Sequence, residues 1–107
     1  MTVKDLVNMS EFTALTDVSD IAITKVFCCD LLSIAMGKAP QGSAWVTVMA
    51  NVNTLAVASL TDVACIIIAE GVAFDDILLN KAKEEGIVVF KTELPIFDAA
   101  NLINKNL

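Results

Sequence analysis

In a chain without a single histidine, three cysteines (Cys28, Cys29 and Cys65) and two carboxylate pairs (Asp75-Asp76 and Glu84-Glu85) are the side chains best equipped for chemistry. The missing imidazole removes the commonest general base and the commonest metal ligand. Cys28 and Cys29 are adjacent, so on a strand they point to opposite faces and cannot hold one ion together. Cys65 lies in the most apolar stretch and reads as a small core residue. A catalytic thiol needs an activating base, and none is evident. The acid pairs fall at opposite ends of one expected helix. The first complements the helix dipole and closes that N-terminus to anions; both read as solvated surface charge. Neither a G-x-x-x-x-G-K-S/T loop nor a G-x-G-x-x-G turn occurs. No catalytic residue, metal site or cofactor is expected.

One class of site survives. In open α/β sheets ligands settle outside the carboxyl ends of the strands, near helix N-termini. Three expected strands end in polar groups there: Asn51, Asn53 and Thr54 after the first, Glu70 and Gly71 after the next, Thr92 and Glu93 after the third. The helix opening at Asn53-Thr54 has no acid in its first turn, so its free N–H groups could receive an anion or a base edge. The plainer reading makes Asn53 an N-cap. Asn51, Asn53, Thr54, Glu70, Gly71 and Thr92 are therefore the candidate ligand-binding residues.

These positions depend on an alternation of short apolar runs with helical segments, the sequence form of βαβ units. Thr2 can cap a first helix with Val3, Leu6 and Val7 on one face. Phe12–Leu15 reads as extended, Thr16–Asp20 as a turn, and Ile21–Cys28 as a strand. Asp30 is placed as the cap of a helix over Leu31–Lys38, ended by Pro40, Gly42 and Ser43. Strand Trp45–Met49 leads to a helix over Thr54–Leu60. Strand Ala64–Ala69 turns at Glu70-Gly71 into a helix over Asp76–Glu85, with Asp75 as N-cap and Gly86 at C′. Strand Ile87–Phe90 leads to a last helix with Pro95 near N1 and Ile96, Ala99, Ala100 and Ile103 inward. The expectation is one three-layer α/β/α domain over residues 1–107, with a mainly parallel central sheet.

Composition narrows the partners. The apolar fraction is 56%, against roughly 45–50% for an average soluble domain. The longest apolar run, Val63–Ala69, is seven residues, far short of the roughly 20 of a membrane span. The excess belongs in a two-sided buried sheet, a subunit interface, or both; self-association is the cheapest reading, so a homodimer is expected. Seven basic residues, all lysine, face thirteen acids for a net charge of −6. An acidic surface without arginine repels phosphate backbones and lacks the bidentate fork that grips them, which excludes nucleic acid and anionic membrane. No basic region followed by an apolar core opens the sequence, and three cysteines do not make a disulfide framework. A cytoplasmic location is expected.

Several pieces taken together resemble the DRTGG domain family. They are Cys29-Asp30-Leu31-Leu32-Ser33 with Met36, Ala44-Trp45-Val46-Thr47-Val48, Asn53, Ala56-Val57-Ala58-Ser59-Leu60 and Ile66-Ile67-Ile68. The stretch Ala82–Gly86, then Thr92 and Phe97–Leu102, continues the match, which runs from about Val3 to Leu102. The resemblance implies a small α/β regulatory module, related in fold to the non-catalytic N-terminal domain of HPr kinase/phosphorylase. Such modules occur alone or fused to CBS and catalytic domains, including some inorganic pyrophosphatases, where they help to form dimers. Some free-standing bacterial or archaeal versions are encoded near iron-only hydrogenase and sensor-kinase genes, so the resemblance implies a protein partner of that kind. The namesake Asp-Arg-Thr-Gly-Gly is missing; near its expected place the chain reads Asp-Val-Ser-Asp-Ile-Ala-Ile-Thr over Asp17–Thr24.

The functional expectation is thus a non-catalytic, homodimeric regulatory or interaction module that senses a small ligand such as a nucleotide at the carboxyl ends of the strands. One alternative is a small enzyme using Asp30 or Glu70 as acid or base, which requires burial to raise a carboxyl pKa toward neutrality. Another is RNA binding, since Ile66–Phe90 also resembles the ribosomal protein family that binds kink-turn RNA. A charge of −6 without arginine cannot supply the counterion release such binding needs.

Overall fold

Seven apolar residues in a row leave no polar face to turn to water, so Val63–Ala69 must be covered on both sides. The computed structural model, which describes Met1–Leu107, does this with a five-stranded sheet between two helical layers. The elements in chain order are α1 (Val3–Val7), β1 (Thr13–Ala14), β2 (Lys25–Cys28), α2 (Leu32–Lys38) and β3 (Ser43–Thr47). They continue with α3 (Val52–Thr61), β4 (Cys65–Ile68), α4 (Asp76–Glu84), β5 (Val89–Lys91) and α5 (Ile96–Lys105). The strand order is β1-β5-β4-β3-β2, with β2 to β5 parallel and β1 antiparallel on the edge beside β5. The architecture is the expected three-layer α/β one. No helix is long and apolar enough to cross a membrane.

Strands β2 to β5 advance across the sheet in one direction, and each intervening helix lies on the same face. Ala35 of α2, Leu55 and Ala58 of α3, and Leu78 and Ala82 of α4 share one core with Trp45, Ile66, Ile68 and Val89. The other core holds Val3 and Leu6 of α1 and Ala99 and Ile103 of α5, against Val46, Cys65, Ile67 and Phe90. Neighbouring residues of β4 therefore serve opposite cores, as the period of two requires. Burial pushes the Cys65 thiol up to about 12, which keeps it neutral and inert.

Of the boundaries that move from their expected places, four have a visible reason. The strand expected over Ile21–Cys28 is regular only from Lys25, because Ala22 bridges Thr2 and the Ile23 N–H donates to the Met1 carbonyl. β3 starts at Ser43 and stops at Thr47, because the Val48 N–H turns to the Asp30 carboxylate (2.9 Å) and the Met49 N–H to the Thr47 hydroxyl (3.2 Å). β5 starts two residues late because Ile87 is engaged elsewhere. Its N–H donates to the Ala82 carbonyl at the end of α4 (2.9 Å), and its carbonyl accepts from the Thr16 hydroxyl (3.0 Å). α3 starts two residues early because its N-cap is Asn51, not Asn53: Asn51 Oδ1 accepts from the Thr54 N–H at 3.0 Å.

At the end of α4 the Gly86 N–H donates to the Lys83 carbonyl and that of Ile87 to Ala82. This is a Schellman stop, which needs the left-handed residue that Gly86 supplies at φ 68°. Gly86→Val should cost about 1–2 kcal/mol of unfolding free energy through backbone strain alone, since open space surrounds the missing Cβ. Ser43 is fully buried and its hydroxyl has no partner. Ser43→Ala should therefore leave stability unchanged or raise it by up to about 1 kcal/mol. Urea unfolding measures both, and a clear loss in Ser43→Ala would show that the hydroxyl is satisfied.

Candidate functional site

Where β4 ends, Glu70 and Gly71 both take positive φ (62° and 68°), and the Val72 N–H closes back on the Ala69 carbonyl at 3.2 Å. That is the pattern of a type I′ turn, which favours Gly, Asn or Asp. Glu70 stands there at a backbone cost of about 1 kcal/mol, offset by two bonds to the loop after β5. Its N–H donates to the Leu94 carbonyl at 2.9 Å, and its Oε2 accepts from the Ile96 N–H at 3.2 Å. The second bond caps α5, whose N-cap residue Pro95 brings no capping side chain. The Gly71 N–H adds a third tie, to the Thr92 carbonyl at 3.0 Å. Buried Thr92 continues the ladder to Ile68, while its hydroxyl accepts from the Leu94 N–H at 3.2 Å.

The loop after β4 runs to α4 on one face of the sheet, and the loop after β5 runs to α5 on the other. Two adjacent parallel strands whose connections leave to opposite faces make a switch point, where open α/β sheets hold ligands. A cleft of about 630 Å³ opens there, within the usual range for small-molecule sites. Gly71–Phe74 form one side and Lys91–Leu94 the other, with Ser10, Glu11, Thr13 and Leu15 closing the β1 edge. Leu15, Val72, Phe74 and Leu94 give it apolar walls. Glu11, Lys91 and Glu93 bring charge of both signs, and none is ion-paired, the molecule's one salt bridge being Lys81–Glu85 on α4. A Cβ on Gly71 would run into the Glu93 carboxylate, so the glycine lets that side chain lie across the turn.

Of the six candidate ligand residues, Gly71 and Thr92 line this cleft. Glu70 sits beside it with its carboxylate turned to α5. Asn51, Asn53 and Thr54 lie at the end of β3, where α2, α3 and α4 share a face and no switch point forms. There Thr54 is buried and its hydroxyl donates to Asn51 Oδ1 at 3.3 Å, while Asn53 is exposed. Among the other cleft residues, Glu93 was noted at its strand end but not selected for binding, and Glu11, Thr13, Phe74 and Lys91 were not picked out at all.

Asp30 does not cap α2, whose N-cap is Leu31. Its Oδ1 accepts instead from the Thr47 hydroxyl (2.7 Å) and the Val48 N–H (2.9 Å), tying the end of β2 to the end of β3. The Trp45 indole N–H donates to the Cys29 carbonyl at 3.0 Å in the same corner. The Cys28 thiol is held above its ordinary value by burial and then by the Asp30 charge, the reverse of what a nucleophile needs.

No family model matches the sequence, and no curated protein matches it significantly. Among solved structures, the chain is similar to the CBS and DRTGG domains of the regulatory region of Clostridium perfringens pyrophosphatase, complexed with the activator diadenosine tetraphosphate. The superposition covers 95% of this chain and 45% of that one, with a TM-score of 0.72 and 16% sequence identity. The fold is DRTGG-like. The chain thus spans less than half of that structure, and the likeness is one of architecture.

Gly71→Ala should destabilise this DRTGG-like fold by about 1–2 kcal/mol through positive φ and the clash with Glu93. Adding Glu93→Ala should recover the part due to the clash. A double-mutant cycle in denaturant measures that coupling, and strict additivity would mean that Glu93 does not lie over Gly71.

Proposed function

We propose that this chain is a non-catalytic regulatory module that works as a homodimer and responds to a small ligand such as a nucleotide. The observation that carries the reading is the cleft at the carboxyl ends of β4 and β5, the one place where the loops part to opposite faces. Gly71 and Thr92 would contact the ligand, and Glu70 would hold the turn that presents them. Asn51, Asn53 and Thr54 would form a separate polar end at β3. The likeness to a pyrophosphatase regulatory region supports a regulatory role. That region's activator, diadenosine tetraphosphate, makes nucleotides the first class to try.

Two observations support the dimer. Leu31, Ile34 and Met36, at or on α2, are each about half exposed, and α2 follows directly on β2, whose outer edge is unpaired. Three free cysteines fit a reducing compartment such as the cytoplasm. A protein partner, of the kinase- or hydrogenase-associated kind implied by the DRTGG resemblance, would receive the signal. The enzyme alternative is weaker, because the carboxylates of Asp30 and Glu70 already accept from Val48 and Ile96.

Thermal melting against adenine and guanine nucleotides and common metabolites tests the ligand. A compound at 100 times its dissociation constant should add about 2.7 kcal/mol and raise Tm by several degrees. Thr92→Val should reduce that shift. Sedimentation at micromolar concentration should show a dimer that Ile34→Asp dissociates; a wild-type monomer would end that half of the reading.

A further inference from the structure

Taking the cleft between the β4–α4 and β5–α5 loops as the ligand site, we propose that it takes a nucleoside or nucleoside monophosphate and excludes longer phosphate chains. Anions in α/β folds are ordinarily held by a helix N-terminus, a glycine-rich nest or an arginine fork. Two helices begin beside this cleft, and a carboxylate already occupies the start of each. Asp75 Oδ1 accepts from the Leu78 N–H of α4 at 2.9 Å, and Glu70 Oε2 from the Ile96 N–H of α5 at 3.2 Å. Asp76 and Asp98 add a further negative charge to each first turn. The Gly71 N–H, the natural donor of a nest, is committed to the Thr92 carbonyl.

What the cleft offers instead is one ammonium and two carboxylates. Lys91 is the single cation among the lining residues, opposed by Glu11 and Glu93, and the chain has no arginine. One lysine matches one phosphate. Each further phosphate would add charge among carboxylates with no second cation to meet it. The carboxylates suit the other end of such a ligand, because ribose hydroxyls and exocyclic amines donate hydrogen bonds, and acids after a strand hold a ribose in this manner. Half-buried Phe74 and Leu15, which line the cleft and pack against the same core, supply the apolar surface that a base requires.

Calorimetric titration of the full chain in magnesium-free buffer tests this, using adenosine, AMP, ADP, ATP, the guanine series and tripolyphosphate. A monophosphate should bind tightest, and each added phosphate should weaken binding about tenfold, or about 1.4 kcal/mol. Lys91→Met should erase the advantage of AMP over adenosine. Glu11→Gln with Glu93→Gln should narrow the gap between AMP and ATP. ATP binding as tightly as AMP would overturn the inference while leaving the nucleotide reading intact, and tripolyphosphate binding as tightly as AMP would overturn both. Binding of AMP unaltered by Lys91→Met would overturn it too, by placing the site elsewhere. No binding by any compound of either series would overturn both the inference and the nucleotide reading it rests on.

Discussion

Every other part of the molecule is arranged around the need to keep β4 dry. Cys65–Ile68 are fully buried, with β3 on one side, β5 on the other, and a core above and below. Nothing short of two helical layers can cover such a strand, and the two layers have to be filled by one short chain. Three consecutive crossovers fill one layer as the chain steps from β2 to β5. The second is left to the two ends of the sequence, α1 and α5. The crevice exists because α5 must leave β5 toward the face that α4 did not take.

Much of that plan was legible in the residues. Apolar runs around Trp45, Ile67 and Val89 announced three buried strands, and Asp75 and Gly86 marked both ends of α4. What escaped was structure with no local signature. β1 is two residues long, and the Thr16 hydroxyl extends its pairing by donating to the Ile87 carbonyl and accepting from the Val89 N–H. A side chain standing in for a strand's backbone leaves no periodic pattern to read. Phe12–Leu15 did read as extended, but nothing local placed it antiparallel beside β5, so the wall formed by Glu11, Thr13 and Leu15 went unrecognised.

Capping shows the same divide. Asn51 and Asn53 are chemically identical caps two residues apart, and only the backbone path chooses between them. Asp30 looked like a cap because it precedes a helix, yet two donors at the end of β3 claim its carboxylate. The α5 cap comes from Glu70, 26 residues away from Ile96 and in another loop. The strand ends were correctly picked out as polar, but which of them part depends on strand order, and that is a property of the whole chain.

The Glu70 bond also couples distant parts of the molecule. α5 begins above β5 at one side of the sheet and packs along β3 and β2 at the other. The turn after β4 grips its starting end through one hydrogen bond to Ile96 and two to the loop before it. One helix thus spans the sheet from the crevice at the ends of β4 and β5 to the open margin at β2.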